Sequence, residues 1–291
     1  MPQQLNVPAP ARLQDFLFAS FPAMKKIKVK QWLKFGSVLV NGEGDVRHDH
    51  PLAAGDVITI LSPDEAHVAQ VMPKKLRIVY EDESIIVIDK PVNLLSIASV
   101  AEQEKTAYAY LTDYVRKGDT WSQERVWIVH RLDRETSGLM IFARTEEAKN
   151  ELQDAWDNVE KHYFAVVEGR PKLPKGELRS HLDERNPFIV FSVPEAEYTR
   201  EAVTYYEVVD TTPRYSLIKL QLETGRRHQI RVQLTEIGCP IIGDAKYGSG
   251  VNPANRLGLH SAYLRIPHPL TGKLMEFDSP LPDPLAQLFK H

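Results

Sequence analysis

Cys239 is the only cysteine in the 291-residue chain. A disulfide framework within the chain and a thiolate zinc cluster are therefore both excluded, which fits a reducing compartment. Long apolar runs are missing too. Nothing reaches the roughly 18 consecutive residues that a membrane helix needs. Residues 1–21 lack the positive start and apolar stretch of a secretory signal. Charge of one sign is also lacking: 36 Lys and Arg face 39 Asp and Glu, a formal net charge of -3. Global charge thus announces no polyanion binder, and any nucleic-acid site must be a local basic surface. No GxGxxG or GxxxxGK[ST] string supports a nucleotide cofactor, and no GxSxG string supports a serine nucleophile. The ten histidines form no HExxH pattern. The nearest approach to a metal set, His48-Asp49-His50, lies in a turn-rich stretch. These absences leave a cytoplasmic globular protein, without a metal, as the expectation.

What is present divides into two parts. In Ala11 to Leu61, Leu13, Phe16 and Leu17 recur at helical spacing, and Ile27, Trp32 and Leu33 do so less cleanly. Ser37-Val38-Leu39-Val40 then runs into an Asn41-Gly42 turn, and Ala54-Gly55-Asp56 precedes the strand-like Val57 to Ile60. Ser62 to Lys75, with Pro63 and Pro73, reads as a linker. Beyond it strands dominate: Leu76 to Tyr80, Ile85 to Ile88, Val126 to Val129, Leu139 to Phe142, Tyr163 to Val167, Ala202 to Val209 and Ser216 to Leu222. Thr106 to Arg116, Thr145 to Asn158 and Gln229 to Ile237 read as helices, the second capped by Thr145. No regular βαβ repeat appears, so the expected fold is α+β around a largely antiparallel sheet.

Four constellations could carry chemistry. His130 to Gly138 is a charged loop between two apolar strands, a setting that holds a carboxylate such as Asp133 steadily. The flanking Arg131 and Arg134 favour its ionised form. A polar turn with surface ion pairs explains the same string. Leu222 to Leu234 offers Gly225 for an unusual backbone angle, with Arg226, Arg227, His228 and Arg231 as donors within one helical turn. Arg231 lies among Ile230, Val232 and Leu234, where a guanidinium is costly without a carboxylate, so a buried Asp–Arg pair is one reading. A solvated basic helix face is the other. Tyr163, at the start of a strand, can stack on a nucleobase or fill the core. Lys25, Lys26, Lys28, Lys30 and Lys34, backed by Trp32 and Leu33, suit phosphates or merely a solvated face.

Taken together, the strings resemble a known family. His130-Arg131-Leu132-Asp133 with Thr136-Ser137-Gly138 is similar to the signature of the RluA family of pseudouridine synthases. Tyr80-Glu81-Asp82 through Lys90-Pro91 resembles its opening strand pair, and Lys161-x-Tyr163-x-Ala165 its tyrosine motif. Ala202-x-Thr204-x-Tyr206 resembles a further strand. Thr224-Gly225-Arg226 through Arg231, with Gly238, Pro240, Gly243-Asp244 and Tyr247-Gly248, resembles its arginine motif. Leu259-His260-Ser261 and His268-Pro269 resemble the final one. The motifs stand in the family's order from Leu76 to Pro280. Asn93 departs from a usual glycine, and Arg227 from a more typical threonine. Arg12-Leu13, Gly36-Ser37-Val38, Val40-Asn41-Gly42 and Gly55-Asp56 resemble the αL-type RNA-binding module first known from a small-subunit ribosomal protein, the S-four domain.

The resemblance implies an S-four-like domain with linker over residues 1–70 and a catalytic domain over 71–291. In the latter, helices and loops would flank a central cleft in a largely antiparallel mixed sheet. The implied activity breaks the uridine N-glycosidic bond in structured RNA, turns the base, and rejoins it through carbon five, with neither cofactor nor metal. Asp133 would be the essential carboxylate, attacking the ribose or taking a proton from it, with Arg231 paired to it. Tyr163 would stack on the base and help remove the proton from carbon five, and Leu259 would pack on the other side. The target must be extruded or already unpaired. Arg131, ahead of Arg134, would fill the vacated space or bind phosphates. Arg226, His228, Lys25, Lys26, Lys28 and Lys34 would add RNA contacts. Large-subunit ribosomal RNA is the expected substrate and transfer RNA the alternative, for an enzyme expected to be monomeric and off the membrane. A catalytically silent ribosome-assembly factor is the rival from another class. A paired-carboxylate glycosidase would need a second acid, and only Glu135 is near in sequence.

Overall fold

The computed structural model describes residues 3–34, 36–44, 46–62, 66, 72–73, 75–98, 102–117, 119, 121–248 and 250–290. Two compact units emerge: Met1–Lys74 with Tyr110–Arg125, and Lys75–Ala109 with Val126–His291. The linker expected over Ser62 to Lys75 falls largely outside the described residues.

The first unit contains β1 (Gln3–Asn6), β2 (Ala11–Arg12), α1 (Leu13–Ser20), α2 (Lys26–Lys34), β3 (Val38–Val40), β4 (Pro51–Leu52) and β5 (Val57–Ile60). Strands β1, β5 and β3 form an antiparallel sheet in that order, and β2 pairs with β4. Asn41 and Gly42 sit at φ 51° and 80°. These are the two positive angles that a two-residue turn demands, and Val40 and Glu43 exchange hydrogen bonds of 2.8 and 2.9 Å across it. Leu13 and Leu17, one helical turn apart, pack with Val29, Val38, Val40, Ile58 and Ile60 in the core. The apolar stripe of α2 differs from expectation. Ile27, grouped above with Trp32 and Leu33, is 71% exposed, and Val29 is the buried position. Residues 29, 32 and 33 fall at i, i+3 and i+4, whereas residue 27 projects from another side of the helix.

Helix α3 (Ala107–Arg116) is divided between the units. The second unit is built on an eleven-stranded sheet. Its strands are β6 (Arg77–Glu81), β7 (Ile85–Lys90), β8 (Trp127–Ile128), β9 (Ser137–Ala143), β10 (Glu160–Glu168), β11 (Lys175–Asp183), β12 (Phe191–Val193), β13 (Arg200–Thr211), β14 (Tyr215–Leu222), β15 (Leu259–Pro267) and β16 (Leu274–Asp278). The main path runs β12-β11-β13-β14-β10-β15-β9-β7-β6, with β16 on β15 and β8 on β9. Among the described strands of this sheet only β9 and β15 pair in parallel; the other ladders are antiparallel. The consecutive apolar residues of β7 and β9 are the mark of strands covered on both faces, and Ile85 to Ile88 and Leu139 to Ala143 are all fully buried. Helix α4 (Glu146–Asp154) starts where expected, Thr145 Oγ1 accepting the Ala148 N–H at 3.1 Å. Helices α5 (Gln229–Glu236) and α6 (Asp283–Ala286) complete the unit. The strand carrying Tyr163 begins three residues before that side chain, at Glu160.

The parallel junction of β9 with β15 is a close approach of two backbones. Gly138 has φ 112°, and a methyl group there would stand 2.1 Å from the Ser261 carbonyl oxygen. Neither the angle nor the space admits a side chain. Gly138→Ala should therefore destabilise the protein by about 3 kcal/mol or more, from overpacking and a forbidden backbone angle together. Urea unfolding followed by far-ultraviolet circular dichroism measures this, and a midpoint unchanged from wild type would contradict it.

Candidate active site

The loop between β8 and β9 carries residues 130–136, and the half-buried His130 with the buried Ser96 and Lys90 holds it in place. His130 Nε2 accepts the Ile141 N–H at 3.0 Å, and its ring stacks on Trp156 at 4.4 Å. Burial pushes His130 down to about 3, which keeps the ring neutral and able to accept. Ser96 Oγ donates to the Leu132 carbonyl at 2.7 Å and accepts the Leu132 N–H at 3.1 Å. Lys90, fully buried at the end of β7, donates to the carbonyls of Arg134, Leu94 and Pro91 at 3.2, 2.7 and 3.1 Å. Asp133 is thus held through both of its backbone neighbours.

Arg231 comes from the opposite direction in sequence, on α5. Its Nε and Nη2 each meet one oxygen of Asp244 at 2.8 Å, a bidentate pair, and Nη1 donates to Asp133 Oδ2 at 3.2 Å. Glu135 Oε2 stands 3.7 Å from the same Nη1. Side-chain exposure is 2% for Arg231 and 1% for Asp244, against 25% for Asp133. Burial works against the Arg231 charge, yet Asp244 outweighs it and the guanidinium is held above its ordinary value. Burial likewise tends to raise Asp244, but Arg231 draws it below the usual carboxylate range. The arginine inside an apolar helical pattern does find a carboxylate. Its bidentate partner, however, is Asp244, which the sequence reading left without a role, and Asp133 receives the third nitrogen.

Helix α5 is fastened to the sheet by a polar chain that sequence reasoning missed. Gln229 donates to the Val203 carbonyl and to Thr204 Oγ1 at 3.0 and 2.8 Å. Thr204 donates in turn to Gln233 Oε1 at 2.7 Å, and Gln233 donates to the Ala202 and Leu178 carbonyls. Every link is satisfied, so the network fixes the helix at no desolvation penalty left uncompensated.

A cavity of about 590 Å³ opens over these groups. Asp133, Arg231, Tyr163, Leu259 and His228 line it, with Arg131, Arg134 and Arg226 among the other lining residues. Tyr163 and Leu259 project from neighbouring strands on the same face, since Ala165 is the register partner of Leu259. Burial is the chief cause that pushes the Tyr163 phenol up to about 12. The volume lies within the range of small-ligand sites and admits a nucleoside.

Some expected features are placed differently. Arg131 and Arg134 are exposed, and the nitrogens nearest the Asp133 carboxylate are those of Arg231 and His228 instead. Gly225 is not among the positive-φ residues; His228 is, at φ 55° and ψ 14°, just before α5. The four donors therefore do not share a helical turn. Arg226 and Arg227 precede the helix, and the Arg227 guanidinium is committed to the carbonyls of Glu184, Asn186 and Pro187. Arg226 Nε donates to the Glu201 carbonyl at 3.1 Å. Lys25, Lys26, Lys28 and Lys34 are exposed side chains of the first unit, with Lys26 Nζ 5.3 Å from the centre of the Phe18 ring. Among the described residues no three His, Cys, Asp or Glu side chains converge to hold a metal ion, and no helix is long and apolar enough to cross a membrane.

Asp244→Asn should cost about 3–5 kcal/mol, the range for one partner removed from a buried ion pair. The pair also has a pH signature. Because Asp244 is held below the ordinary value of 3.8, its contribution is complete above that pH and is lost as the pH falls through the lower folded value. Acid unfolding monitored by tryptophan fluorescence should begin at higher pH in a variant lacking the pair, and coincident curves would contradict the assignment.

Known proteins resemble this chain in sequence and fold. Residues 84–236 match the family described as RNA pseudouridylate synthase. The chain is 33% identical over 288 residues to the uncharacterized RNA pseudouridine synthase YlyB of Bacillus subtilis, covering 96% of this chain and 93% of that one. It is 33% identical over 300 residues to ribosomal large subunit pseudouridine synthase D of Vibrio vulnificus, with 95% and 89% coverage. The Escherichia coli protein of the same name is 31% identical over 298 residues, with 96% and 90% coverage. The solved structure of human RNA pseudouridylate synthase domain containing 4 has the same fold, with a TM-score of 0.60 and 24% identity over 72% of this chain and 90% of that one. The family match spans the clamped loop and α5 together, and the chain is accordingly a member of the RNA pseudouridine synthase family, a family of isomerases.

Proposed function

We propose that this enzyme isomerises uridine in large-subunit ribosomal RNA and that Asp133 is its essential carboxylate. The observation that carries the second part is the pairing of Asp133 Oδ2 with Arg231 at 3.2 Å beside a cavity bounded by Tyr163 and Leu259. A uracil held between the Tyr163 ring and Leu259 would lie within reach of a carboxylate fixed on both sides of its backbone. The reaction is an internal transfer. The N1–C1′ bond breaks, a C5–C1′ bond forms, carbon five loses its proton, and N1 gains one. Asp133 either attacks the ribose or takes a proton from it, and each course needs one unencumbered oxygen. Tyr163 is pushed up to about 12 chiefly by burial. A phenol so held keeps its proton at neutral pH, which supports stacking on the base over removal of the carbon-five proton. Arg131 and Arg134, exposed and lining the cavity, suit the phosphates beside an extruded nucleotide. The choice of RNA draws on the relatives named for the ribosomal large subunit.

The first unit we read as an S-four-like RNA-binding domain, the catalytic domain following it from about residue 71. Its support is the exposed set Lys25, Lys26, Lys28, Lys30 and Lys34 on and beside α2, a helix anchored by the buried Val29. Such a set contacts phosphates and contributes affinity with little sequence preference.

Two measurements test these readings. Asp133→Asn, nearly isosteric, should retain the wild-type melting temperature and release no tritium above background from ribosomal RNA carrying five-tritiated uridine. Wild-type release would remove Asp133 from its role. Replacing Lys25, Lys26, Lys28 and Lys34 together by Gln should weaken RNA binding and flatten the dependence of log K on log salt by up to about 3, at about 0.7–0.9 per phosphate contact. An unaltered slope in filter-binding titrations would place the RNA elsewhere.

A further inference from the structure

His228 borders the cavity with its side chain 8% exposed, and as the residue before α5 it makes no side-chain capping bond. Its contacts lie elsewhere. Tyr247 Oη accepts the Val190 N–H at 2.7 Å and lies 2.8 Å from His228 Nδ1. Among the described residues no other acceptor is recorded for the Tyr247 hydroxyl. With Val190 N–H on one lone pair, the hydroxyl can turn its proton to Nδ1. A ring nitrogen that accepts carries no hydrogen, so a neutral imidazole in that bond holds its proton on Nε2. That nitrogen stands 3.8 Å from Asp133 Oδ2, the same oxygen that takes Arg231 Nη1 at 3.2 Å. Among the described residues no donor meets Asp133 Oδ1. Two nitrogens thus face one carboxylate oxygen, and neither faces the other.

The backbone supports a dedicated placement. Left-handed φ is uncommon outside glycine, and His228 adopts it at 55°. The ring meets that of Tyr247 edge-on at 5.5 Å. Burial holds His228 below its ordinary value, with Asp133 acting in the other direction.

We propose that His228 is a positioning residue for Asp133, fixed by Tyr247 as the Nε2–H tautomer so that it directs a donor at Oδ2 and reserves Oδ1 for the ribose. The proposal rests on Asp133 being the catalytic carboxylate. A shift of under about 1 Å as substrate settles brings Nε2 within hydrogen-bonding distance of Oδ2. Tyr247 then acts at one remove, through the ring, in the way that the group bonded to one imidazole nitrogen sets the role of the other.

The test compares two substitutions whose order the backbone and the chemistry predict oppositely. Asparagine tolerates positive φ better than glutamine, so a purely conformational role ranks His228→Asn above His228→Gln. Glutamine alone reaches the Nε2 position with an N–H, so the proposed role ranks them the other way. Single-turnover tritium release, measured below both melting temperatures, should show kcat about tenfold or more down in His228→Asn, the scale of one charge-assisted hydrogen bond. KM should be little changed, and His228→Gln should recover most of the loss. Nitrogen-15 NMR of the wild-type imidazole supplies a readout independent of folding in the variants. A single Nε2–H tautomer is expected, giving way to a mixture in Tyr247→Phe. Asparagine equal to or better than glutamine, or a wild-type Nδ1–H tautomer, overturns the proposal while a dead Asp133→Asn leaves the carboxylate reading standing. Full activity in Asp133→Asn overturns both.

Discussion

A guanidinium 2% exposed at the edge of the cavity is the constraint around which the second unit is arranged. Removing such a charge from water costs several kcal/mol unless fixed partners replace its hydration. Asp244 supplies the replacement with two 2.8 Å contacts, and is itself held in place because its Oδ1 also accepts the backbone N–H groups of Lys246 and Tyr247. The charge on Arg231 is thereby settled before Asp133 enters the count. This explains the need for a polar chain through Gln229, Thr204 and Gln233. A pair that must meet in both distance and plane tolerates no sliding of α5 on the sheet.

The clamped loop answers that fixed helix. Asp133 itself makes one direct link to α5, and its neighbours are tied to other elements: Leu132 to Ser96, and Arg134 to Lys90. Lys90 is an unusual fastener. Burial draws it down to about 7, against the pull of Asp133 and Glu135, while three carbonyls accept from it. An ammonium has three N–H groups to match three acceptors, whereas an amine has two, so the carbonyl arrangement itself favours the charged form. Direct anchoring of the Asp133 side chain by a second cation would occupy the oxygen that the role proposed for Asp133 requires. Holding the backbone avoids that conflict, and it follows the general logic of rigid support for a reactive group.

Much of this was legible in sequence and some was not, for identifiable reasons. An arginine between Ile230 and Val232 signals a buried charge and so a missing carboxylate. Nothing local points to Asp244, thirteen positions later in irregular backbone. The consecutive apolar residues of β7 and β9 announced covered strands. Strand β11 hid because Leu178 and Leu182 are its only large apolar residues and stand four apart, a spacing that suits a helix better. Strand β15 hid because its buried positions include His260 and Ser261. Gly225 drew notice as the residue able to adopt an unusual angle, yet the chain turns left-handed at His228. Conformational permission is a property of a residue, and its use depends on the contacts that the residue makes.

The division of labour between Asp244 and Asp133 bears directly on reactivity. On the role proposed for Asp133, a bidentate place would engage both its oxygens with one guanidinium, and neither attack on the ribose nor removal of a ribose proton could start without breaking that pair. Because Asp244 takes it, Asp133 keeps one guanidinium contact, at 3.2 Å on Oδ2, and a quarter of its side chain remains exposed. The guanidinium field still reaches the site, at a distance where a buried cation interacts strongly with charge. On the proposed reading, the arrangement combines two properties that usually oppose each other: a carboxylate held in one orientation, and an oxygen on that carboxylate that no donor among the described residues engages.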